Sequence, residues 1–140
     1  MHFLCAEDNE LNAEILSELL EIEGASCEIC ENGQVVVERF EQSKPGEFDM
    51  ILMDVQMPIM NGYEATKAIR SGTHPLAKTI PIIAMTANAF SEDIQNSLNA
   101  GMDAHVSKPV DMKTLIKTVH SIQSGVCGGG GKTFGAMTHG

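Results

Sequence analysis

Short, mostly apolar runs alternate along this chain with longer stretches in which apolar residues recur every three or four positions. The runs are His2-Phe3-Leu4-Cys5-Ala6, Ser26-Cys27-Glu28-Ile29-Cys30, Met50-Ile51-Leu52-Met53, Ile80-Pro81-Ile82-Ile83-Ala84-Met85 and Ala104-His105-Val106. Each reads as a strand, and Met50–Met53, too short for an ordinary helix and lacking polar residues, reads as one buried on both faces. The intervening stretches have the helical period. Leu11, Ile15, Leu16, Leu19 and Leu20 make one apolar face behind Asn9, a good N-cap, and Gly24 stops that helix. Asn32-Gly33 reads as a turn before a second helix carrying Val35, Val36, Val37 and Phe40. Pro58, Asn61 and Gly62 form a loop before a third helix over 63–70. A fourth helix covers 89–100, ended by Gly101. The fifth covers 111–122, with Leu115, Ile116 and Val119 inward.

Five strand–helix units of this length predict an α/β fold, a parallel sheet covered by helices on both faces. Right-handed crossovers favour a doubly wound sheet, and 2-1-3-4-5 is the commoner order for five strands. That order puts the switch point between strands one and three. No internal repeat appears. Residues 1–123 are expected to form one domain and 124–140 a Gly-rich flexible tail, a linker or remnant. The tail's Gly-Gly-Lys132-Thr133 only brushes against a phosphate-binding loop: Val126 stands where a glycine is required, and no strand precedes it.

Charge narrows the partners. Of nine Lys and Arg, only Lys132 lies beyond residue 123, so residues 1–123 hold eight basic and 19 acidic side chains, a net −11. Such a surface repels phosphate backbones, which argues against direct nucleic-acid binding. No apolar run approaches the ~20 residues of a membrane span, and the first residues lack a secretory pattern, so a cytoplasmic location without membrane contact is expected. Cys27 and Cys30 form a C-x-x-C, but residues three apart on a strand point to opposite faces, so the pair reads as strand packing and not as a redox or metal motif. His2, His74, His120 and His139 read as exposed bystanders. Met57 and Met60 are expected to pack loosely beside the site.

The candidate chemistry lies at the strands' carboxyl ends, where open α/β sheets bind ligands. Glu7-Asp8 ends strand one, Asp54 strand three, Thr86 strand four and Lys108 strand five. A lone aspartate at a strand end is ordinarily a turn former. Three carboxylates converging on one crevice are different, because their mutual repulsion calls for raised pKa values or a cation. Few, hard oxygen ligands point to Mg2+. With Lys108 as a point charge and Thr86 as a hydroxyl donor, the set suits a phosphoryl group, and Asp54 is placed to be the nucleophile of an acyl phosphate.

These residues resemble a receiver domain of two-component signalling. The resemblance runs from residue 2 to about 122, through Glu7-Asp8-Asn9, Met53-Asp54-Val55-Gln56-Met57-Pro58, Asn61-Gly62, Met85-Thr86-Ala87, Gly101-Met102-Asp103 and Lys108-Pro109. It implies that Asp54 accepts a phosphoryl group from a phosphohistidine. Asp8 would ligate Mg2+ directly, Glu7 mainly through water, and the Gln56 backbone carbonyl would complete the set with Asp54. Lys108 would pair with Asp54 and then with the phosphoryl oxygens. Thr86 would swing in toward the phosphoryl group, with His105 at the switch position three residues before the lysine.

The chain departs from the family pattern twice. Glu7-Asp8 stands where Asp-Asp is more frequent, and His105 replaces the usual Tyr or Phe. His105 reads equally as a switch or as a partly buried strand histidine. The wording of EDNELNAEIL, IPIIAMTANAF and GMDAHVSKPVD is similar to receivers of hybrid sensor histidine kinases. It implies a domain of a larger kinase, with a histidine kinase domain and a histidine phosphotransfer domain as partners and the helix-one face as their docking surface. A signalling domain is expected, not an enzyme proper. The alternative is a receiver-like interaction module that is never phosphorylated. Two enzymes of similar fold fit less well: an aspartate-nucleophile phosphatase would want an acid where Gln56 stands, and a flavin site would be repelled by Glu7-Asp8.

Overall fold

The computed structural model describes residues 2–55, 57, 59–86, 91–107 and 111–124. Five strands and five helices alternate: β1 (His2–Ala6), α1 (Glu10–Ile22), β2 (Ser26–Cys30), α2 (Gly33–Gln42), β3 (Met50–Asp54), α3 (Gly62–Arg70), β4 (Ile82–Thr86), α4 (Ser91–Ala100), β5 (Ala104–Ser107) and α5 (Met112–Ser124). All pairings are parallel, and the order is β2-β1-β3-β4-β5, the one expected as the commoner solution for five strands. No helix among the described residues is long and apolar enough to cross a membrane.

Alternation along the central strands divides the core. Leu4, Ile51, Met53, Ile82 and Ala84 point to one face, where Val36, Val37 and Phe40 of α2 and Ala65 and Ile69 of α3 cover them. Phe3, Cys5, Leu52, Ile83 and Met85 point to the other, under Leu16 and Leu20 of α1 and Leu115, Ile116 and Val119 of α5. Burial on both faces explains why β3 and β4 are buried along their whole length.

Local chemistry sets the helix starts. The Asn9 side chain accepts the Asn12 N–H at 3.0 Å and begins α1. Asn32 accepts from Val35 N–H at 3.0 Å, so Asn32-Gly33 is not a free turn: asparagine caps α2 and glycine is its first residue. Asn61 and Glu64 form a reciprocal capping box, which makes Gly62 the first residue of α3 and not the last of a loop. Strand four begins two residues later than expected. Ile80 instead ends the preceding loop with its N–H on Leu76 O, and the Pro81 carbonyl accepts from Ile51 N–H.

Three further expectations need correction. Leu11 and Ile15 are 64% and 48% exposed, whereas the residues that α1 buries are Ala13, Leu16 and Leu20, with Leu19 half-buried. His74 is buried: its ring packs on Phe40 with centroids 4.2 Å apart, Nε2 lies 3.1 Å from the Ser43 carbonyl, and Nδ1 accepts the Leu76 N–H. His2 is half-buried, stacked on Phe48 and bonded to Ser26 Oγ, and His120 is half-buried as well. His139 lies outside the described residues, as does the expected tail beyond residue 124. The last helix reaches Ser124, two residues past the expected end.

Candidate phosphoryl and metal site

The site is assembled by register. Ala6 pairs with Met53, so Glu7, the next residue, emerges beside Asp54. Asp54 pairs with Met85, so Thr86 emerges one residue beyond it on the other side, paired with Ser107. Four strand ends therefore stop within about a residue of one another, at one edge of the sheet. A charged group cannot continue a strand buried on both faces, so the sequence places its polar residues where the strands leave the core.

Glu7, Asp8 and Asp54 each present a carboxylate oxygen, and these oxygens lie within 4.8 Å of one another. Glu7 and Asp54 are only 4% and 3% exposed, whereas Asp8 is exposed, so the cluster opens to solvent on the Asp8 side. The Glu7 backbone N–H bonds to Cys30 O, and its carboxylate accepts from Asn9 N–H at 3.4 Å, which turns the side chain back over the start of α1. Asp54 is fixed through its neighbour: Val55 donates to Met85 O and accepts from Gly62 N–H at 2.9 Å.

Three anionic groups this close, two of them shielded from water, repel strongly. The set fits a hard divalent cation that takes a few carboxylates and keeps some of its waters, as Mg2+ does. The Glu7 side chain brings its carboxylate into the cluster, so three carboxylates are in place with glutamate at this position. Thr86 is buried at the end of β4, and His105 is half-buried in β5, paired with Ala84. Lys108 and Gln56 lie outside the described residues.

The loop from Asp54 to α3 carries features the periodicity does not reveal. A Cβ on Gly62 would lie 2.4 Å from Asp54 O, and one on Gly33 would lie 2.4 Å from Met60 O. Gly33 N–H donates to that same Met60 carbonyl at 3.1 Å, so both glycines are required by close backbone approach around the site. The Asn-Gly dipeptides at 32–33 and 61–62 were the available signal. Met57 and Met60 are half-buried against the α2–α3 side of the core.

The C-x-x-C is a packing feature. Cys30 faces the α2–α3 side and Cys27 the α1–α5 side, next to Cys5. The Cys5 thiol bonds to the Cys27 sulfur and brings Cys27 down to about 6; burial pushes Cys30 up to about 11 and Cys5 well above the usual thiol range. Among the described residues all three cysteines are free.

Comparison with known proteins agrees with this architecture. The family model described as the response regulator receiver domain matches residues 3–120. A probable histidine kinase 2 of Oryza sativa is 36% identical over 140 residues, covering 92% of this chain and 13% of that protein. Hybrid signal transduction histidine kinase I of Dictyostelium discoideum is 38% identical over 120 residues, covering 84% of this chain and 7% of that one. The chain thus spans only a small part of the curated relatives it matches. Among solved structures, the receiver domain of a sensor histidine kinase from Pseudomonas aeruginosa, with magnesium coordinated in its active-site cleft, superposes with a TM-score of 0.76 at 32% identity. The match covers 86% of this chain and 94% of that one. The signal receiver domain of a histidine kinase from Syntrophus aciditrophicus gives 0.77 at 31%, covering 94% and 96%.

Proposed function

Because this chain belongs to the response regulator receiver domain family of two-component signalling, we propose that it is a phosphoacceptor in a phosphorelay, with Asp54 as the acceptor. The observation that carries the reading is the convergence of the Glu7, Asp8 and Asp54 carboxylates at the sheet edge, with Thr86 emerging beside them. An Asp54 oxygen attacks phosphorus in line with the N–P bond of a phosphohistidine. A P–O bond forms, the N–P bond breaks, and its electron pair returns to the imidazole. Glu7, Asp8, Asp54 and the Gln56 carbonyl would hold Mg2+, which supplies charge neutralisation for the phosphoryl oxygens. Lys108 contributes the remaining positive charge.

Thr86 and His105 are the switch residues in this reading. Thr86 is buried at the strand end and turns its hydroxyl toward the new phosphoryl group, drawing the following loop with it. The half-buried His105 follows by changing rotamer. The domain runs through α5 to Ser124, one residue past the expected boundary at 123, and the Gly-rich residues 125–140 are its tail. Its partners are a histidine kinase domain and a histidine phosphotransfer domain in the cytoplasm, docking on α1, where Leu11 and Ile15 are exposed. The parent protein is a hybrid sensor histidine kinase.

The test is intact-protein mass after incubation with acetyl phosphate and Mg2+, for the wild type and Asp54→Asn. Gain of one phosphoryl group by the wild type alone supports the reading. No gain in either folded protein would favour an interaction module that is never phosphorylated.

A further inference from the structure

Ile59 is the one non-glycine residue among those described with a positive φ, at 68°. This is the left-handed region, where Asn, Asp and Gly are tolerated and a β-branched side chain is crowded against its own backbone. The residue is also 76% exposed, so its side chain returns almost no packing to the domain. A strained isoleucine that does nothing for its own fold is a strong departure from what a loop needs.

The loop around it explains how the strain is held. Met60 O is fixed by Gly33 N–H, Gly62 N–H by Val55 O, and Asn61 by its capping box with Glu64. Met57 and Met60 are tucked against the core on either side. The turn is imposed by these neighbours, and Ile59 is the residue left projecting, five positions after Asp54.

We infer that Ile59 is an apolar recognition contact for the protein that brings the phosphohistidine to Asp54. This rests on the phosphoacceptor reading above. A donor imidazole can reach Asp54 only if its parent domain covers the carboxyl edge of the sheet, and residues 55, 57 and 59–61 follow β3 at that edge. On the α1 side, the same edge exposes Leu11 and Ile15 near the Glu7-Asp8 pair. Ile59 is exposed between Met57 and Met60, which pack against the α2–α3 side of the core. Since α1 and α3 cover opposite faces of the sheet, a donor touching both sides straddles the acceptor. The occupant is therefore a phosphotransfer domain whose histidine-bearing surface is apolar on both flanks of the histidine. Burial of the isoleucine at that contact is what offsets the strain.

The test compares two donors: phosphoramidate, which has an N–P bond and no protein surface, and a histidine phosphotransfer domain, phosphorylated on its histidine, that labels the parent chain. Ile59→Asn should raise the melting temperature, since asparagine accepts this φ. It should leave labelling by phosphoramidate within about twofold. It should lower kcat/KM for the protein donor about ten- to a hundredfold, the range expected for losing one buried aliphatic contact. Ile59→Met, apolar and unbranched, should retain most of the protein-donor rate. Unchanged transfer from the protein donor to Ile59→Asn would overturn the inference, and so would equal losses with both donors. Absence of labelling of the parent chain by phosphoramidate would instead overturn the assignment of Asp54.

Discussion

The carbonyl oxygen of Asp54 occupies the space that a side chain at Gly62 would need: a Cβ there would approach it to 2.4 Å. The proposed acceptor is thus seated against the first residue of α3, and the peptide linking β3 to that helix can close only over a bare α-carbon. Gly62→Ala should destabilise the fold by about 1–3 kcal/mol, the usual range for forcing atoms into a filled space. The displaced loop should also slow acetyl phosphate labelling. Urea denaturation and labelling rates would check both, and a variant as stable and as fast as wild type would show that the backbone relaxes freely.

The carboxylate cluster makes opposite predictions with and without metal. Without it, Asp8→Asn should stabilise the fold, because one of three mutually repelling charges is removed. With Mg2+, the wild type should melt several degrees higher, since folded protein binds the ion and the unfolded chain does not; a hundredfold excess over Kd contributes about 2.7 kcal/mol. Glu7→Gln and Asp8→Asn should each reduce that rise. Thermal melts across a Mg2+ series decide it, and a wild-type curve insensitive to Mg2+ would exclude the metal site.

His74 acts in the core. Its ring lies on Phe40, and its nitrogens bridge Ser43 and the Leu76 N–H, tying the loop after α3 to the end of α2. His74→Ala should cost about 2–4 kcal/mol from the lost packing and the orphaned loop bonds. Hydrogen exchange should be fastest at residues 74–80. A loss below about 0.5 kcal/mol would mean that the ring is an exposed bystander after all.

Among the described cysteines, Cys27 should be the most reactive. Its pKa of about 6 means that the thiolate predominates at neutral pH, whereas Cys30, at about 11, stays protonated. Among the three described cysteines, iodoacetamide should modify Cys27 first in the folded protein, with a rate rising through pH 6 and then levelling. Cys5→Ala removes the donor and should move that midpoint toward the ordinary thiol value of about 8.5. Peptide mapping after brief alkylation checks the order.

The sequence by itself determined the five strand–helix units and the residues that end each strand. Buried runs tolerate no charge, so Glu7, Asp54 and Thr86 mark the places where strands leave the core, and β1 and β2 begin and end where the apolar runs do. Opposite placement of Cys27 and Cys30 follows from the two-residue period of a strand in the same way. Periodicity reports an element's kind and its ends, but not which neighbour covers a face. Only tertiary structure decided that α1 buries Leu16 and Leu20 while leaving Leu11 and Ile15 in solvent, because the width of helix surface in contact depends on how the helix lies on the sheet. It also decided that His74 is a core residue, since the partners that bury it, Phe40 and Ser43, are more than 30 residues away. The need for glycine at 62 and the strained projection of Ile59 come from the same source: both result from backbone segments brought together by folding, which no local pattern of side chains records.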